Sequence, residues 1–116
     1  MWILLCSLVI LVSGLAVAAP PPSTPAMIEK GKTSFSTSCM VCHGEKADGK
    51  GPAGASLNPP PRNFSTDKFK QGEKPQQVFN TISKGIPNTS MAPFGHLPEE
   101  ERWALTYYVL SFKKKK

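Results

Sequence analysis

The chain has 116 residues, with 14 lysines and arginines, 8 aspartates and glutamates, and a formal net charge of +6. This length allows one small domain, whose modest apolar core is expected to need a cofactor, a metal or a disulfide. Four of the positive charges are the lysines at 113–116, so the rest of the chain is nearly balanced. A nucleic-acid-binding face is therefore not expected.

The first element is an apolar segment over residues 1–19, predicted to be a secretory signal peptide or an N-terminal membrane anchor. It is nearly uninterrupted from Trp2 to Val12, and Ala16 and Ala18 give the small-x-small pattern of a cleavage site. No lysine or arginine precedes the run, which departs from the usual signal, but its shortness favours cleavage over anchoring. In both cases the remainder is expected outside the cytoplasm, tethered through residues 2–19 if the segment stays.

A Pro-rich spacer over residues 20–25 leads into the first predicted helix, with Thr24 as N-cap and Pro25 at the first helical position. Helical spacing predicts one buried face, formed by Ile28, Gly31 and Phe35. Residues 44–74 are rich in glycine and proline and are predicted to form loops.

Two more helices are predicted after these loops. One begins near Pro75, ends at Gly85 and buries Val78, Phe79 and Ile82. The last begins with three glutamates at 99–101 and ends before the lysines, which suits the helix dipole. Its apolar residues occupy more than one face, so it is expected to pack on two sides. No segment alternates like a strand, and the fold class predicted is all-α.

The decisive motif is Cys39-Met40-Val41-Cys42-His43. Two thiols separated by two residues lie about one helical turn apart, where each can add to one vinyl group of haem. The histidine that follows can place its imidazole under the porphyrin and reach the iron. This spacing is typical of covalent haem attachment and predicts one haem c.

Two other interpretations of the motif compete with haem attachment. Cys39 and Cys42 could form a structural or redox-active disulfide, but a thioredoxin-like site needs a preceding strand. A zinc site would need Cys39, Cys42, His43 and His96 together, although adjacent Cys42 and His43 do not readily share a tetrahedral ion.

A haem held by one histidine has a second axial position, for which Met91 is the predicted ligand. Met91 lies in the loop GIPNTSMAPFG, which two prolines stiffen and a glycine closes. Met27 lies too close to the first helix in sequence to reach the opposite face, and Met40 lies inside the attachment motif. His96 is the rival ligand, and it would give an iron of lower potential.

Taken together, CMVCH, Gly31 with Phe35, the GIPNTSMAPFG loop and ERWALTYYVLSF resemble a small class I c-type cytochrome of bacterial type. The resemblance covers residues 26–112, the predicted cytochrome c domain, with a lysine tail over 113–116. It implies the cytochrome c fold, with three to four short helices and Gly/Pro-rich loops around one covalently bound haem.

The resemblance also implies roles for individual residues. Cys39 and Cys42 would form the haem thioethers, His43 would be the proximal iron ligand and Met91 the distal one. A proline carbonyl orients the proximal imidazole in this family, and the three prolines at 59–61 are the candidates. In the family the first and last helices cross at a glycine, here Gly31, and aromatic residues lock the contact. The matching aromatic residues are Phe35 on one helix and Trp103 and Tyr107 on the other.

A six-coordinate iron lacks a vacant position for substrate, so the expected function is one-electron transfer between redox partner proteins and not enzymatic catalysis. The alternative is a haem-based ligand-binding or sensor protein, or a weak peroxidase, with a labile sixth ligand. The expected protein is a monomer, periplasmic or otherwise extracytoplasmic. Lys46, Lys50 and Lys84 are candidates for steering acidic partners. The lysine tail is an interaction tail, a contact with an anionic membrane or a soluble end, and the last is the expectation.

Overall fold

The computed structural model describes residue 11, residues 13 and 14, and residues 19–114. The predicted signal peptide or anchor therefore lies almost wholly outside the described residues, as does the end of the lysine tail at 115–116. In the described part of the chain, none of the helices is long and apolar enough to cross a membrane.

Residues 19–114 form an all-helical structure without strands, which confirms the predicted fold class. Four α-helices are followed by a short 3₁₀ turn: α1 Pro25–Ser38, α2 Met40–His43, α3 Pro75–Lys84, α4 Glu99–Ser111, and the turn Phe112–Lys114. The segment between α2 and α3 has no regular element, as its glycines and prolines predict.

The helix ends follow from local chemistry. Thr24 Oγ1 accepts a hydrogen bond from the Met27 amide at 3.2 Å, and Pro25 occupies the first turn of α1. Helix α3 begins at Pro75 and is capped by Gly85, as predicted. Pro98 lies one position outside α4, as its N-cap residue, and the carboxylates of the first turn face the positive end of the helix dipole.

Helices α1 and α4 cross at Gly31, as the resemblance implies. A β-carbon on Gly31 would lie 2.1 Å from the Ala104 carbonyl oxygen, so the crossing requires a residue without a side chain. The aromatic partner differs from the expectation, because Phe35 packs on Tyr108, with ring centroids 5.2 Å apart. A second contact joins the helices beside the crossing, where buried Ser34 donates to Glu101 at 2.7 Å.

Trp103 and Tyr107 lie on the adjoining face of α4, about 100° around the helix from Ala104 and Tyr108. Trp103 stacks on Phe79 of α3, with centroids 4.1 Å apart. The Tyr107 hydroxyl donates to the Pro21 carbonyl, so the Pro-rich spacer contacts the folded domain. Helix α4 thus packs on two sides, as its apolar pattern predicts.

The core lies between these helices and the long loop. Its buried side chains come from three helices and from residues 47 and 64 of the loop, and they include Phe35, Phe64, Val78, Ile82, Leu105 and Val109. Phe79 is only half-buried, in contrast to the prediction, although its ring stacks on that of Trp103.

Lys113 belongs to the fold and is not part of a free tail. Its ammonium forms an ion pair with Glu73 at 3.0 Å, donates to the Asp67 carbonyl, and lies 4.3 Å from the centroid of the Phe69 ring. These contacts join the end of α4 to the 67–73 segment. The expectation of a soluble lysine tail from residue 113 was therefore wrong for Lys113.

Candidate functional site

A cavity of about 420 Å³ opens between the helices and the Gly/Pro-rich loops. Its walls are mostly apolar, and they include Phe35, Leu57, Phe64, Ile82, Leu105 and Val109. Cys39, Cys42, His43 and Met91 all line this one cavity. The structure therefore gathers the four residues that the sequence singles out, although Met91 is far from the others in the chain.

The attachment motif lies where α1 gives way to α2. The Cys39 amide continues the helical pattern of α1 by donating to the Phe35 carbonyl at 2.9 Å. The Cys39 carbonyl in turn accepts from the amides of Cys42 and His43, at 3.2 and 3.0 Å. This single turn puts Cys39 and Cys42 on the same cavity.

The two cysteines are free thiols and not a disulfide. Burial raises the pKa of Cys39 to about 11, and the neighbouring Cys42 thiol contributes to the same rise. Cys39 is therefore a neutral thiol near pH 7. Among the described residues, no three histidine, cysteine or acidic side chains come together as a metal site.

His43 is held in one orientation by a backbone carbonyl. Its Nδ1 lies 3.2 Å from the carbonyl oxygen of Arg62. A carbonyl oxygen can only accept, so this hydrogen bond requires the proton on Nδ1 and leaves the Nε2 lone pair free for a metal. Burial lowers the pKa of His43, with the hydrogen bond to Arg62 acting in the opposite direction, and this favours the neutral imidazole.

The carbonyl that orients His43 is not one of those predicted. Pro59, Pro60 and Pro61 line the cavity, but the carbonyl that faces Nδ1 belongs to the following residue, Arg62. The Phe64 amide donates to the Ala47 carbonyl at 2.9 Å, which fixes the chain just after Arg62 beside the attachment motif. Which carbonyl faces His43 therefore depends on this hydrogen bond between separate segments and not on the positions of the prolines.

Sequence reasoning also missed Phe64. Its ring lies 4.4 Å from the imidazole of His43, at an interplanar angle of 31°, and it is buried. It makes edge contacts with Phe35 and Phe69 as well. An aromatic residue inside an otherwise polar, proline-rich segment was the available signal, since such a residue is expected to be buried.

Met91 reaches the cavity from the loop between α3 and α4. Its carbonyl accepts from the Ile86 amide at 3.2 Å, and its amide donates to Thr89 Oγ1 at 3.2 Å. The Thr89 hydroxyl donates to the Ile86 carbonyl at 2.8 Å, which closes a small turn. Met91 is the only methionine of the described residues that lines the cavity, and His96 is exposed and lies outside it.

The donor set and the walls fit a haem c. Two unpaired thiols, a neutral imidazole with a free Nε2 and a thioether share one apolar cavity, which suits a large planar cofactor joined through sulfur and held by its iron.

The family model for cytochrome c matches residues 28–113. The chain belongs to the cytochrome c family. The cofactor is accordingly covalently bound haem c, and the family role is electron transfer. Members of the cytochrome c family typically lie outside the cytoplasm.

Two curated relatives are FixP subunits of cbb3-type cytochrome c oxidase. The protein from Sinorhizobium medicae (strain WSM419) is 29% identical over 104 residues and matches 82% of this chain. The protein from Rhizobium meliloti (strain 1021) is 28% identical over 103 residues and matches 80% of this chain. This cytochrome c chain spans only 33% of the length of each of these relatives.

A similar solved structure is a chain of the reducing HAO-like protein complex of Kuenenia stuttgartiensis. It is 34% identical, with a TM-score of 0.74, over 82% of this chain and 47% of that chain. The cytochrome c fold predicted from the sequence is confirmed by this likeness and by the family match.

Proposed function

We propose that this cytochrome c is a one-electron carrier whose haem c is attached through Cys39 and Cys42 and ligated axially by His43 and Met91. The observation that carries the proposal is the convergence of these four side chains on one apolar cavity. The haem c, when bound, supplies an iron that alternates between Fe(II) and Fe(III).

The chain contributes fixed ligands. The Arg62 carbonyl holds His43 in the tautomer that presents Nε2 to the iron. Packing against Phe64 restricts rotation of the ring. A ligand held in this way keeps its position in both oxidation states, which lowers the reorganisation that opposes electron transfer.

Met91 would set the potential and close the second axial position. A thioether donates less charge than a second imidazole, so it favours the reduced iron and raises the potential. The apolar walls act in the same direction, because a low-dielectric surround disfavours the more highly charged oxidised iron. A filled second position leaves no site for substrate, which is why a carrier and not an enzyme is proposed.

The proposed partners are redox proteins outside the cytoplasm, with residues 2–19 serving as a cleaved signal or as a tether. The FixP relatives are oxidase subunits and the Kuenenia chain belongs to a protein complex, which supports exchange with other redox proteins. Lys46, Lys50 and Lys84 are exposed and would steer acidic partners at low ionic strength.

The test is the Met91→Ala variant of the holoprotein. We expect loss of the far-red sulfur-to-iron charge-transfer band, a lower reduction potential, and carbon monoxide binding by the reduced protein. Met27→Ala is the matched control, because Met27 lies outside the cavity, and it should leave all three unchanged. His96→Ala tests the rival ligand.

An unchanged spectrum and potential in Met91→Ala would overturn the distal assignment. Rapid carbon monoxide binding by the wild-type reduced protein would instead favour a ligand-binding, sensor or peroxidase role.

A further inference from the structure

The loop that carries Met91 leaves the end of α3 and returns at the start of α4, and its two ends lie side by side. The Phe94 amide donates to the Ile82 carbonyl at 2.9 Å, and a β-carbon on Gly95 would lie 3.0 Å from the Ser83 carbonyl oxygen. The segment is thus a short loop with a closed neck, as in Ω-loops.

Arg102 of α4 bridges this neck with its side chain. Its Nε donates to the Leu97 carbonyl at 3.0 Å, on the returning end of the loop. A terminal guanidinium nitrogen donates to Ser83 Oγ at 2.7 Å, on the departing end. The guanidinium carbon lies 4.9 Å from the centroid of the Phe79 ring, and Phe79 is itself stacked on Trp103.

The guanidinium group suits this position because it is planar and carries several donors in fixed directions. It can therefore donate to both ends of the loop while its face lies against an aromatic ring. A lysine ammonium has neither the planar shape nor the spread of donors, so it would retain only part of the contact.

The hydrogen bonds near Met91 lie within the loop. The Ile86 amide donates to the Met91 carbonyl, and the Thr89 hydroxyl bonds to both of these residues. These three hydrogen bonds fix the local shape of the turn. They make no bond to α4, and on the α3 side the Met91 carbonyl lies close to Gly85, the C-cap of that helix. The position of the turn relative to α4 is set where the loop meets α3 and α4, which is where Arg102 binds.

We infer that Arg102 is the positioning residue for the distal ligand. It closes the neck of the 84–97 loop and thereby keeps Met91 against the cavity. The inference rests on the proposed role of Met91. Arg102 does not itself line the cavity. Through the loop, it controls how readily an outside ligand displaces the Met91 thioether.

The experiment measures the affinity of free imidazole for the oxidised holoprotein, together with its reduction potential. In Arg102→Gln, imidazole should bind about tenfold more tightly, because hydrogen bonds from a charged donor no longer hold the loop closed. The potential should fall towards that of Met91→Ala. Arg102→Lys should restore part of the wild-type behaviour, and Ser83→Ala, which removes one contact, should give a smaller change.

Ser34→Ala is the control for a merely structural effect. It removes the 2.7 Å hydrogen bond that Ser34 of α1 donates to Glu101 of α4, a contact with α1 and not with the Met91 loop, and it should lower stability without changing imidazole affinity. Equal increases in imidazole affinity in Ser34→Ala and Arg102→Gln would overturn the inference. Wild-type imidazole affinity in both Arg102→Gln and Ser83→Ala would also overturn it.

Amide hydrogen exchange separates this inference from the proposed function. The amides of Phe94 and Leu97 at the neck should exchange faster in Arg102→Gln than in Ser34→Ala, whatever residue ligates the iron. If Met91→Ala leaves the spectrum unchanged, the ligand assignment fails. If neck exchange is unchanged in Arg102→Gln, the positioning role fails by itself.

Discussion

The two sides of the cavity that carry His43 and Met91, the proposed iron ligands, are held in different ways. On the His43 side, the carbonyls of residues 41–43 accept hydrogen bonds from amides in the 49–53 loop at 2.8 to 3.0 Å. The imidazole has its own carbonyl partner and an aromatic neighbour. The backbone here is fixed residue by residue by contacts with a second segment.

On the Met91 side, the hydrogen bonds close to the methionine are local, and the contacts with the helices gather at the neck. A loop of this kind can open as a unit when its neck loosens. If His43 and Met91 are the ligands, as proposed, this difference predicts that changes on the His43 side mainly lower stability, whereas changes on the Met91 side mainly alter how easily the second ligand exchanges.

The largest effect is expected on the His43 side, in Gly51→Ala. The added β-carbon would lie 2.4 Å from the Val41 carbonyl oxygen and 2.6 Å from that of Met40, so backbone must move. We expect the free energy of unfolding to fall by about 3 kcal/mol and Tm to fall by an amount on the order of 10 °C, both measured by thermal unfolding of the holoprotein. Ala55→Ser, at an exposed position of the same loop, is the control. Equal stability of the two variants would remove the contrast between the two sides.

A smaller effect is expected on the Met91 side, in Thr89→Val. This variant keeps the shape of the side chain but removes the bonds to the Ile86 carbonyl and the Met91 amide. Global stability should fall by about 1 kcal/mol, while the Met91 amide exchanges with solvent severalfold faster.

Thr33→Val makes the same chemical change on the exposed surface of α1, where the hydroxyl bonds the Glu29 carbonyl. It should leave exchange at Met91 unaltered. If Thr89→Val lowered global stability as much as Gly51→Ala, the distal loop would be as integral to the fold as the proximal side.

The smallest effect is expected outside the cavity lining, where Lys113 after α4 meets Glu73 of the 67–73 segment. The pKa of Glu73 is lowered, first by the hydrogen bond from the Phe69 amide and next by Lys113. Because the pKa of the Glu73 carboxyl is lower in the folded state than in the unfolded state, its ionised form stabilises the fold at pH values above the unfolded-state pKa. This stabilisation is lost as the pH falls through the folded-state pKa. Lys113→Met should therefore be less stable than wild type at neutral pH, and the difference should shrink in acid.

Unfolding over a range of pH measures this effect, with Lys32→Met on exposed α1 as the control. Glu73→Gln should abolish the pH dependence of the Lys113 effect. A Lys113→Met penalty that stayed constant from neutral to acid pH would mean that packing on Phe69, and not the charge pair, joins the end of α4 to the 67–73 segment.

Much of the local structure followed from the sequence. Thr24 and Pro25 marked the start of α1, Pro75 and Gly85 bounded α3, and the glutamates opened α4, because capping and dipole effects act within one turn. The cysteine spacing predicted the cofactor for a similar reason. Two thiols three positions apart are brought together by a single helical turn, whatever the rest of the chain does.

The errors have a common origin in rotation and register. Trp103 and Tyr107 were expected at the crossing with α1, but the residues there are Ala104 and Tyr108, one position further along. One residue corresponds to about 100° of rotation on a helix. Likewise, the last of the three predicted proline carbonyls, that of Pro61, lies one residue before the carbonyl of Arg62 that faces His43. When a helix is apolar on most sides, its sequence does not indicate which of its residues face the neighbouring helix. Three consecutive prolines likewise do not indicate which carbonyl faces His43.

By itself, the sequence determined the helical class, the helix ends and the covalent cofactor, since each depends on residues within a few positions of one another. Only the tertiary structure decided which carbonyl orients His43, which side chains lock α1 to α4, and that Lys113 and Arg102 tie loops to α4. These contacts join residues from separate segments, and side-chain packing chooses among partners that are nearly equivalent in the sequence.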